Sequence, residues 1–374
     1  MYKILDFAKL RRTSHVIWDI DGTITDRGGS VNTEVSAKII NLALKGVYHT
    51  FITGRDSAWV IKHVIEPMKT FYNFARVRDS LSFFAESGCV TITVHDDGGV
   101  TDEVLPALAR HPLSANEEGG IRGRLRTLVY DPGELKSYDR GAPVRPPAGV
   151  IHDAEGNGWL IDRSQPGPKC NEYVWSTSKK VFCTLEKIRN EDGEVRSFDQ
   201  GPSVEIVRRE IEEAGLKALA DVQLAATAID IVPIIADAQR VGKSWAAGQA
   251  LQAVQKEKLG GGVVLATVMD RTIAVGDSAA DLEFTQPTFD AQRSGSPEEG
   301  SVRMIFVGRE ENLPQPHDER YKLRRNIIIQ ATGLGDLEFD WTKDLIRLEA
   351  ATGARVVSSV LDFLSQWDYF GPFE

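Results

Sequence analysis

Two aspartates one residue apart, Asp19 and Asp21, end an apolar stretch at residues 15–20 and are followed by a glycine and a threonine. Residues two apart on a strand point to the same side, so both carboxylates are expected at the end of one buried strand. Two anions at that distance repel each other unless a cation lies between them or one is protonated. The pair therefore predicts a divalent metal site. Asp-Gly is also a common turn dipeptide, and a solvated turn is the alternative.

A second pair of aspartates, Asp277 and Asp281, follows the apolar stretch at residues 272–276. If a helix begins after Asp277, the four-residue spacing places both carboxylates on one side of its first turn. The carboxyl ends of parallel strands lie on one edge of a sheet, where ligands of α/β sheets bind. We therefore expect Asp19, Asp21, Asp277 and Asp281 to converge on one cation, and hard oxygen ligands favour Mg²⁺. A helix cap with an acidic first turn is the alternative for the second pair.

Two further segments carry groups that bind anions. Thr53, Gly54 and Arg55 follow a strand predicted at residues 47–52 and supply a hydroxyl, a flexible glycine and a guanidinium. The helix behind them offers free N–H groups to a phosphate. Lys243 begins a helix and can neutralise a phosphate and an aspartate together. Taken singly, Thr53 and Lys243 are also typical of ordinary surface positions.

The elements around these residues alternate between strand and helix, which predicts a parallel sheet with helices on both faces. The predicted fold is α/β, with a Rossmann-like core. In the first part of the chain we expect strands at 15–20, 47–52 and 81–85 and helices at 32–45 and 57–65, the second ending before Pro67. In the last part we expect helices at 243–256 and 354–367 and strands at 272–276, 304–307 and 326–329.

Between these parts the alternation of predicted strands and helices stops. A hairpin is predicted at residues 90–99, and a segment rich in proline, glycine and arginine follows. We expect helices at 171–189 and 203–219 and strands at 222–226 and 228–233. The sequence thus predicts an α+β domain, residues 86–233, inserted into a discontinuous core of residues 1–85 and 234–374.

The composition limits the class of protein. Against 54 aspartates and glutamates stand 44 lysines and arginines, a formal net charge of −10. Nucleic-acid-binding proteins usually carry a basic surface, so we expect no nucleic-acid partner. We find no secretory signal and no apolar run of the roughly 18 residues that a membrane span needs, and expect no membrane partner. The three cysteines are widely spaced and predict no disulfide framework, which favours a cytoplasmic location.

The order of the chemical segments resembles the haloacid dehalogenase superfamily. Its four motifs correspond to Asp-x-Asp-Gly-Thr at residues 19–23, the strand-end Thr53, Lys243, and Gly-Asp-x-x-x-Asp at residues 276–281. The Thr-Gly-Arg form of the second motif and the long insertion after it are similar to members with a large α/β cap. These members include Cof-like, sucrose-phosphate and trehalose-phosphate phosphatases and phosphomannomutases.

The borders of the insertion extend the resemblance. Residues 86–88 are similar to the Glu-Asn-Gly entrance of such a cap, and residues 228–243 to its exit. Ser87 and Ala280 depart from the group, which has asparagine at the first position and often at the second. The middle of the insertion resembles nothing we can name.

The resemblance implies a role for each matching residue. Asp19 would be the nucleophile that forms an aspartyl-phosphate, and Asp21 would protonate the leaving oxygen and then activate water. Asp19, Asp277 and the backbone carbonyl of Asp21 would bind Mg²⁺, with Asp281 supporting that set. The remaining candidates are phosphate-binding residues, Thr53, Gly54 and Lys243, and substrate contacts, Arg55, Glu86 and Asp230.

These expectations describe a Mg²⁺-dependent phosphomonoester hydrolase whose partner is a small phosphorylated sugar or related metabolite. A sugar phosphomutase of the same superfamily is one alternative. A binding or regulatory relative without catalysis is another, although all four catalytic positions are filled. The sequence leaves the choice between monomer and homodimer open.

Overall fold

The computed structural model describes residues 12–25, 29–115, 120–138, 150–153, 157–161, 166–176, 178–189, 195, 198–225, 227–235, 239–258, 262–289, 300–330 and 354–365. These residues divide into two compact units. The first unit comprises the described residues up to Glu103 and from Gly242 onward, and the second comprises those of Val104–Val241. None of the described helices has the length and apolar character required to cross a membrane.

The strands of the described residues, in chain order, are β1 (His15–Asp19), β2 (Tyr48–Ile52), β3 (Leu81–Ala85), β4 (Val90–Val94), β5 (Val100–Val104), β6 (Lys136–Tyr138), β7 (Val150–His152), β8 (Gly158–Leu160), β9 (Tyr173–Trp175), β10 (Cys183–Lys187), β11 (Ala220–Leu224), β12 (Ala228–Ile235), β13 (Gln239–Arg240), β14 (Thr272–Gly276), β15 (Arg303–Phe306) and β16 (Ile327–Gln330). The α-helices are α1 (Thr33–Leu44), α2 (Ser57–Val60), α3 (Glu66–Lys69), α4 (Phe74–Val77), α5 (Ile121–Arg126), α6 (Gly201–Glu213), α7 (Lys243–Ala253), α8 (Leu265–Asp270) and α9 (Ala354–Ser365).

The first unit is built on one eight-stranded sheet with the order β16-β15-β14-β1-β2-β3-β4-β5. The strands from β16 to β3 pair in parallel, and β4 joins β3 antiparallel. The chain winds outward from β1 in both directions, so the strand order reverses between β1 and β14. Crevices at such a reversal, at the carboxyl ends of the strands, are where ligands of open α/β sheets bind. The predicted α/β class is confirmed.

Burial explains why the central strand reads as a continuous apolar run. All five residues of β1 are buried, as in a parallel sheet covered on both faces. Ile17 packs into a core cluster with Ala246, Leu251 and Val268, which belong to α7 and α8. This packing sets the amino terminus of α7 close to the end of β1.

The helix that follows β2 continues past Pro67, contrary to the prediction that it ends before this residue. A five-residue π-helical segment, Ile61–Ile65, separates α2 from α3, and Pro67 lies in the first turn of α3. Proline lacks the N–H that would bond to the carbonyl of His63. That carbonyl accepts a hydrogen bond from the backbone N–H of Val31 instead, at 2.8 Å. The lost helical bond is therefore replaced from outside the helix.

The second unit contains a sheet of order β11-β12-β10-β9, with β13 paired to β12, and a three-stranded sheet of order β6-β8-β7. One face of the larger sheet packs against α5 and α6 through buried apolar side chains such as Leu125, Val207 and Ile229. The helix predicted at residues 171–189 is wrong, because this segment forms β9 and β10. Cys183 and Leu185 alternate along β10 and face this core, which a two-residue period satisfies.

The division between the units lies later in the chain than the boundaries predicted from sequence. The hairpin β4–β5 extends the main sheet beyond β3, so residues 86–103 belong to the first unit. At the other end, β12 runs to Ile235, and the second unit ends at Val241. The assignment of this unit as a specificity cap remains a prediction.

Candidate active site

Asp19 is the last residue of β1, and a tight turn follows it. Asp19 is 4% exposed, and its Oδ2 accepts a hydrogen bond from the hydroxyl of Thr23 at 3.2 Å. The backbone N–H groups of Thr23, Ile24 and Thr25 all donate to the carbonyl of Ile20 at 3.1–3.2 Å. Gly22 has a φ of +73°, a conformation that costs glycine little. The Asp-Gly-Thr sequence thus forms a turn whose last residue holds the carboxylate of Asp19.

Lys243 bridges the carboxylates of Asp19 and Asp281. It is the first residue of α7, and its ammonium donates to Oδ1 of Asp19 at 2.6 Å and to Oδ1 of Asp281. The side chain of Lys243 is 15% exposed and lies at a helix terminus, with two carboxylates as partners. The predicted neutralising lysine therefore lies beside Asp19.

Asp281 is fixed by the turn after β14. Its Oδ2 accepts hydrogen bonds from the backbone N–H of Asp277 at 3.0 Å and from the N–H and hydroxyl of Ser278 at 2.7 and 2.8 Å. Ser278 and Asp281 form a capping box at the start of a 3₁₀ segment, Ala279–Thr285. Gly276 is required because a Cβ there would lie 2.4 Å from the Cβ of Asp281. The alternative interpretation of this segment, a helix cap with an acidic first turn, is therefore also correct, because Asp281 takes part in the cap.

Asp277 lies between the turn after β1 and the loop after β15. A Cβ on Gly22 would lie 2.4 Å from Oδ2 of Asp277, so only glycine lets this carboxylate approach the first turn. On the other side, a Cβ on Gly308 would lie 1.7 Å from the carbonyl oxygen of Asp277, and the side-chain N–H of Asn312 donates to that oxygen at 3.3 Å. The loop after β15 therefore fixes the backbone of Asp277.

Three of the four predicted carboxylates come together. Asp19, Asp277 and Asp281 each offer one oxygen, and these atoms all lie within 4.8 Å of one another. The carboxylate of Asp21 does not belong to this group, which corrects the prediction that all four converge. The strand ends at Asp19, so the two-residue alternation on which the prediction depended stops before Asp21.

The carboxylate of Asp21 is held by the loop after β2. Nε of Arg55 donates to Oδ1 and Oδ2 of Asp21 at 3.2 and 3.1 Å, and Nη2 lies 3.1 Å from Oδ1. The hydroxyl of Thr53 donates to Oδ2 at 3.3 Å. The predicted phosphate-binding loop therefore contacts Asp21 directly.

Residues 86–88 hold the Thr-Gly-Arg loop through backbone hydrogen bonds. The N–H of Ser87 donates to the carbonyl of Thr53 at 2.7 Å, and the N–H of Glu86 donates to that of Arg55 at 2.8 Å. Glu86 and Ser87 both have positive φ, +48° and +51°, which is uncommon for residues with a side chain. A Cβ on Gly54 would meet the hydroxyl of Ser87 only at 3.9 Å. Residues 86–88 thus shape the Thr-Gly-Arg loop through its backbone.

Burial and the surrounding charges act in opposite directions on Asp19 and Lys243. Burial raises the pKa of Asp19 well above its usual value, Asp281 and Asp277 raise it further, and Lys243 opposes them. Burial alone would lower the pKa of Lys243, but Asp19 and Asp281 outweigh it and hold that pKa above its usual value. Three carboxylates thus carry more negative charge than one ammonium balances, and a further cation would relieve their repulsion.

The donor set fits Mg²⁺. The group consists of carboxylate oxygens, which hard divalent cations prefer. Asp281 is fully buried, and its Oδ2 accepts three hydrogen bonds from residues 277–278 while its Oδ1 accepts one from Lys243. Oδ2 of Asp19, by contrast, accepts a single long hydrogen bond from the hydroxyl of Thr23, at 3.2 Å. Asp19 and Asp277 are therefore the better candidates as ligands, and Asp281 is placed to orient Lys243 and the turn.

The remaining predicted residues lie outside this group. Glu86 is fully buried beneath the Thr-Gly-Arg loop, so its side chain is not placed for a substrate contact. Asp230 lies on β12 of the second unit, where it accepts a hydrogen bond from the hydroxyl of Thr184 at 2.6 Å and lies 3.8 Å from Nζ of Lys179. It is a partly exposed carboxylate in a polar setting.

The sequence did not predict several residues of the site. Thr23 belongs to the Asp-x-Asp-Gly-Thr motif, yet its bond to Asp19 depends on the turn. Ser278 could have been predicted as the first residue of a capping box. Gly308 and Asn312 carry no sequence signal, because the contact with Asp277 arises only when β15 pairs with β14.

Comparisons with known proteins give distant likenesses. No protein-family model and no curated protein matches the chain. Among solved structures, an Aspergillus fumigatus trehalose-6-phosphate phosphatase is 16% identical, with 98% of this chain and 100% of that chain covered and a TM-score of 0.44. A haloacid dehalogenase-like hydrolase from Bacteroides thetaiotaomicron is 14% identical over 84% and 93% of the two chains, with a TM-score of 0.41. The Plasmodium falciparum IMP-nucleotidase is 12% identical over 80% and 67%, with a TM-score of 0.42. Likenesses this distant do not establish an activity.

Proposed function

We propose that the chain is a Mg²⁺-dependent phosphomonoester hydrolase that acts through an aspartyl-phosphate on Asp19. The observation that carries the proposal is the environment of this carboxylate. Asp19 is buried, and one of its oxygens is held by Lys243 and the other by Thr23. Asp21, in the turn after β1, contacts Thr53 and Arg55. Phosphoryl transfer needs such positioned charges above all.

Each residue has a role in the proposed reaction. An oxygen of Asp19 attacks phosphorus, the bond from phosphorus to the ester oxygen breaks, and the departing oxygen takes a proton from Asp21. Water then attacks the phosphoryl group with Asp21 accepting its proton, which releases phosphate and restores Asp19. Lys243 and Thr53 lower the charge on the phosphoryl oxygens. Mg²⁺, held by Asp19, Asp277 and the carbonyl of Asp21, would supply further neutralisation of charge.

The proposed substrate is a small phosphorylated sugar or a related polyol. The second unit is proposed to act as a specificity domain. Within it, Asp230 already accepts a hydrogen bond from a hydroxyl, that of Thr184, at 2.6 Å, and is proposed to accept others from a substrate.

Asp19→Asn tests the proposal directly. An amide is a poor nucleophile, so we expect phosphate release to fall below detection on every substrate that the wild type hydrolyses. The measurement is phosphate release from sugar phosphates, with Mg²⁺ present or removed by a chelator, together with analysis of the remaining ester. Free phosphate indicates a hydrolase, and an isomerised ester would indicate a mutase.

Asp96→Asn is the matched control, because the side chain of Asp96 is 94% exposed in the same unit. This variant should keep wild-type activity, and thermal unfolding should show that both variants fold. Full activity of Asp19→Asn would contradict the mechanism. A wild type that releases no phosphate from any ester in the presence of Mg²⁺ would contradict the function.

A further inference from the structure

Three side chains form a continuous stack beside the turn that carries Asp21. Arg55, Trp59 and His63 are spaced four residues apart, from the Thr-Gly-Arg loop through α2 into the π-helical segment. The guanidinium carbon of Arg55 lies 5.1 Å from the centre of the Trp59 ring. The rings of Trp59 and His63 stack with their centres 4.9 Å apart and a 26° angle between their planes. Trp59 itself is 6% exposed, so its position is set by packing.

The far end of the stack is fixed as well. Nδ1 of His63 lies 3.2 Å from the hydroxyl of Ser30, and the carbonyl of His63 accepts the N–H of Val31 at 2.8 Å. Pro67, which lacks an N–H, cannot form the i→i−4 bond to this carbonyl. The π-helical segment thus carries His63 against the ring of Trp59, and Trp59, on α2, lies against the guanidinium of Arg55. Single π-turns of this kind occur frequently at functional sites.

The near end of the stack holds Asp21. Two of the three guanidinium nitrogens of Arg55, Nε and Nη2, lie within 3.2 Å of the carboxylate oxygens of Asp21. A planar fork fixes both the distance and the plane of a carboxylate, which a single ammonium does not. Asp21 needs such a restraint, because it follows the end of β1 and precedes Gly22, whose φ is +73°.

We infer that Arg55, seated on Trp59, is a positioning residue that orients the carboxylate of Asp21 for proton transfer. The inference rests on the proposed function and revises the expectation that Arg55 contacts the substrate. Arg55 transfers no proton and forms no bond to phosphorus. It fixes the carboxylate that gives a proton to the departing oxygen and later accepts one from water. Trp59 and His63 contribute by limiting where the guanidinium can lie.

The dependence of the rate on the leaving group tests the inference. An alkyl phosphate, such as glucose 6-phosphate or glycerol 3-phosphate, needs a proton on its departing oxygen, whereas p-nitrophenyl phosphate scarcely does. For Arg55→Ala we expect kcat/KM on the alkyl ester to fall by about 10²-fold, and on the aryl ester by less than about fivefold. Trp59→Ala should show the same selectivity with a smaller loss, of about tenfold.

Conservative variants and inhibition separate positioning from a structural or binding role. Trp59→Phe keeps an aromatic face and should recover most of the alkyl rate, and Arg55→Lys, which lacks the fork, should recover little. The inhibition constant of inorganic phosphate should stay at the wild-type value in all four variants. Lys62→Ala removes an exposed charge from the same segment and should change kcat/KM on neither the alkyl nor the aryl ester.

Two results would overturn the inference while leaving the proposed function intact. One is an equal loss on alkyl and aryl esters in folded Arg55→Ala, which would mean a general role. The other is weaker inhibition by phosphate, which would mean that Arg55 binds the phosphoryl group. Thermal unfolding decides whether Arg55→Ala folds, and if it does not, Arg55→Lys and Trp59→Ala decide by the same selectivity. A wild type that releases no phosphate from any ester in the presence of Mg²⁺ would overturn the function and this inference with it.

Discussion

Lys243 is the residue on which the charge balance of the site depends. Its ammonium lies between Asp19 and Asp281, and its side chain is 15% exposed. Breaking a buried ion pair by removing one partner is costly, because the remaining charge stays buried without compensation. Here two carboxylates would lose the same cation.

Lys243→Met therefore should remove activity and also destabilise the protein. The methionine keeps much of the apolar stem, so the change mainly removes the charge. We expect the free energy of unfolding to fall by about 3 kcal/mol near neutral pH. Urea unfolding followed by circular dichroism, in the absence of divalent cations, measures this change.

Lys62→Met is the control for the loss of a lysine from an exposed position, and should change the stability by less than about 0.5 kcal/mol. Equal stabilities of Lys243→Met and the wild type would show that Lys243 is not engaged with the two carboxylates in solution.

At the scale of elements, the 3₁₀ turn Glu86–Gly88 lies between β3 and β4 and packs against α7. Gly88 has a φ of +97°, and a Cβ there would lie 2.7 Å from the Cβ of Ala246 on α7. The backbone of the same turn supports the Thr-Gly-Arg loop. The close approach of this turn to α7 thus brings the loop that holds Asp21 and the helix that carries Lys243 into one packed arrangement.

Gly88→Ala should disturb this arrangement through crowding. We expect a loss of about 2–4 kcal/mol in the free energy of unfolding, from the unfavourable φ and from overpacking against Ala246. Gly46→Ala is the matched control, because Gly46 also has a positive φ, +89°, but a Cβ there would meet no atom within 4 Å. It should lose only about 1 kcal/mol, from backbone strain alone. Similar losses in the two variants, measured by urea unfolding, would show that contact with α7 is unimportant.

At the scale of the whole molecule, two buried histidines in the main sheet make stability depend on pH. Thr272 donates its hydroxyl proton to the carbonyl of Val268 at 2.7 Å, so it can only accept from Nδ1 of His15, at 3.1 Å. Nδ1 of His49 accepts the indole N–H of Trp18 at 2.9 Å. The contact of His49 requires a neutral imidazole, because only an unprotonated Nδ1 can accept the indole N–H, whereas the contact of His15 fixes the proton on its Nδ1. Burial lowers the pKa of each histidine to about 3, with His15 adding to the effect on His49.

The protein should therefore lose stability as the pH falls from about 6.5 toward 3. The unfolded chain takes up protons on these histidines below pH ~6.5, whereas the folded protein stays neutral there until about pH 3. Each histidine should cost about 2 kcal/mol in the free energy of unfolding at pH 5 relative to pH 7.5. Other titrating groups also contribute to the pH profile, and they do so alike in the wild type and in a variant that lacks one histidine.

His49→Asn isolates one of these contributions. The asparagine carbonyl keeps an acceptor for Trp18 and does not titrate. Between pH 7.5 and 5 this variant should lose about 2 kcal/mol less than the wild type. Parallel pH profiles of the variant and the wild type, from urea unfolding, would show that His49 is not held neutral in the folded protein.

The sequence by itself determined the strand ends and the chemical groups that follow them. Asp19, Thr53 and Asp277 could be found because each terminates or directly follows an apolar run, and parallel strands bring such ends to one edge. Lys243 could be predicted from its place at the start of a helix. These are local patterns, and burial on both faces of the sheet makes them visible in the order of residues along the chain.

Tertiary structure alone decided which side chains meet. Contacts between segments far apart in sequence separate Asp21 from the other carboxylates and pair it with Arg55. Such contacts also place Gly308 and Asn312 against Asp277. They supply the hydrogen bond to the carbonyl of His63 where the chain runs on past Pro67. The strands at residues 171–189 are of the same kind, since pairing and a shared core overrode a pattern that favoured a helix. A residue's type fixes what it can bind, but its partner is chosen by the packing of the whole chain.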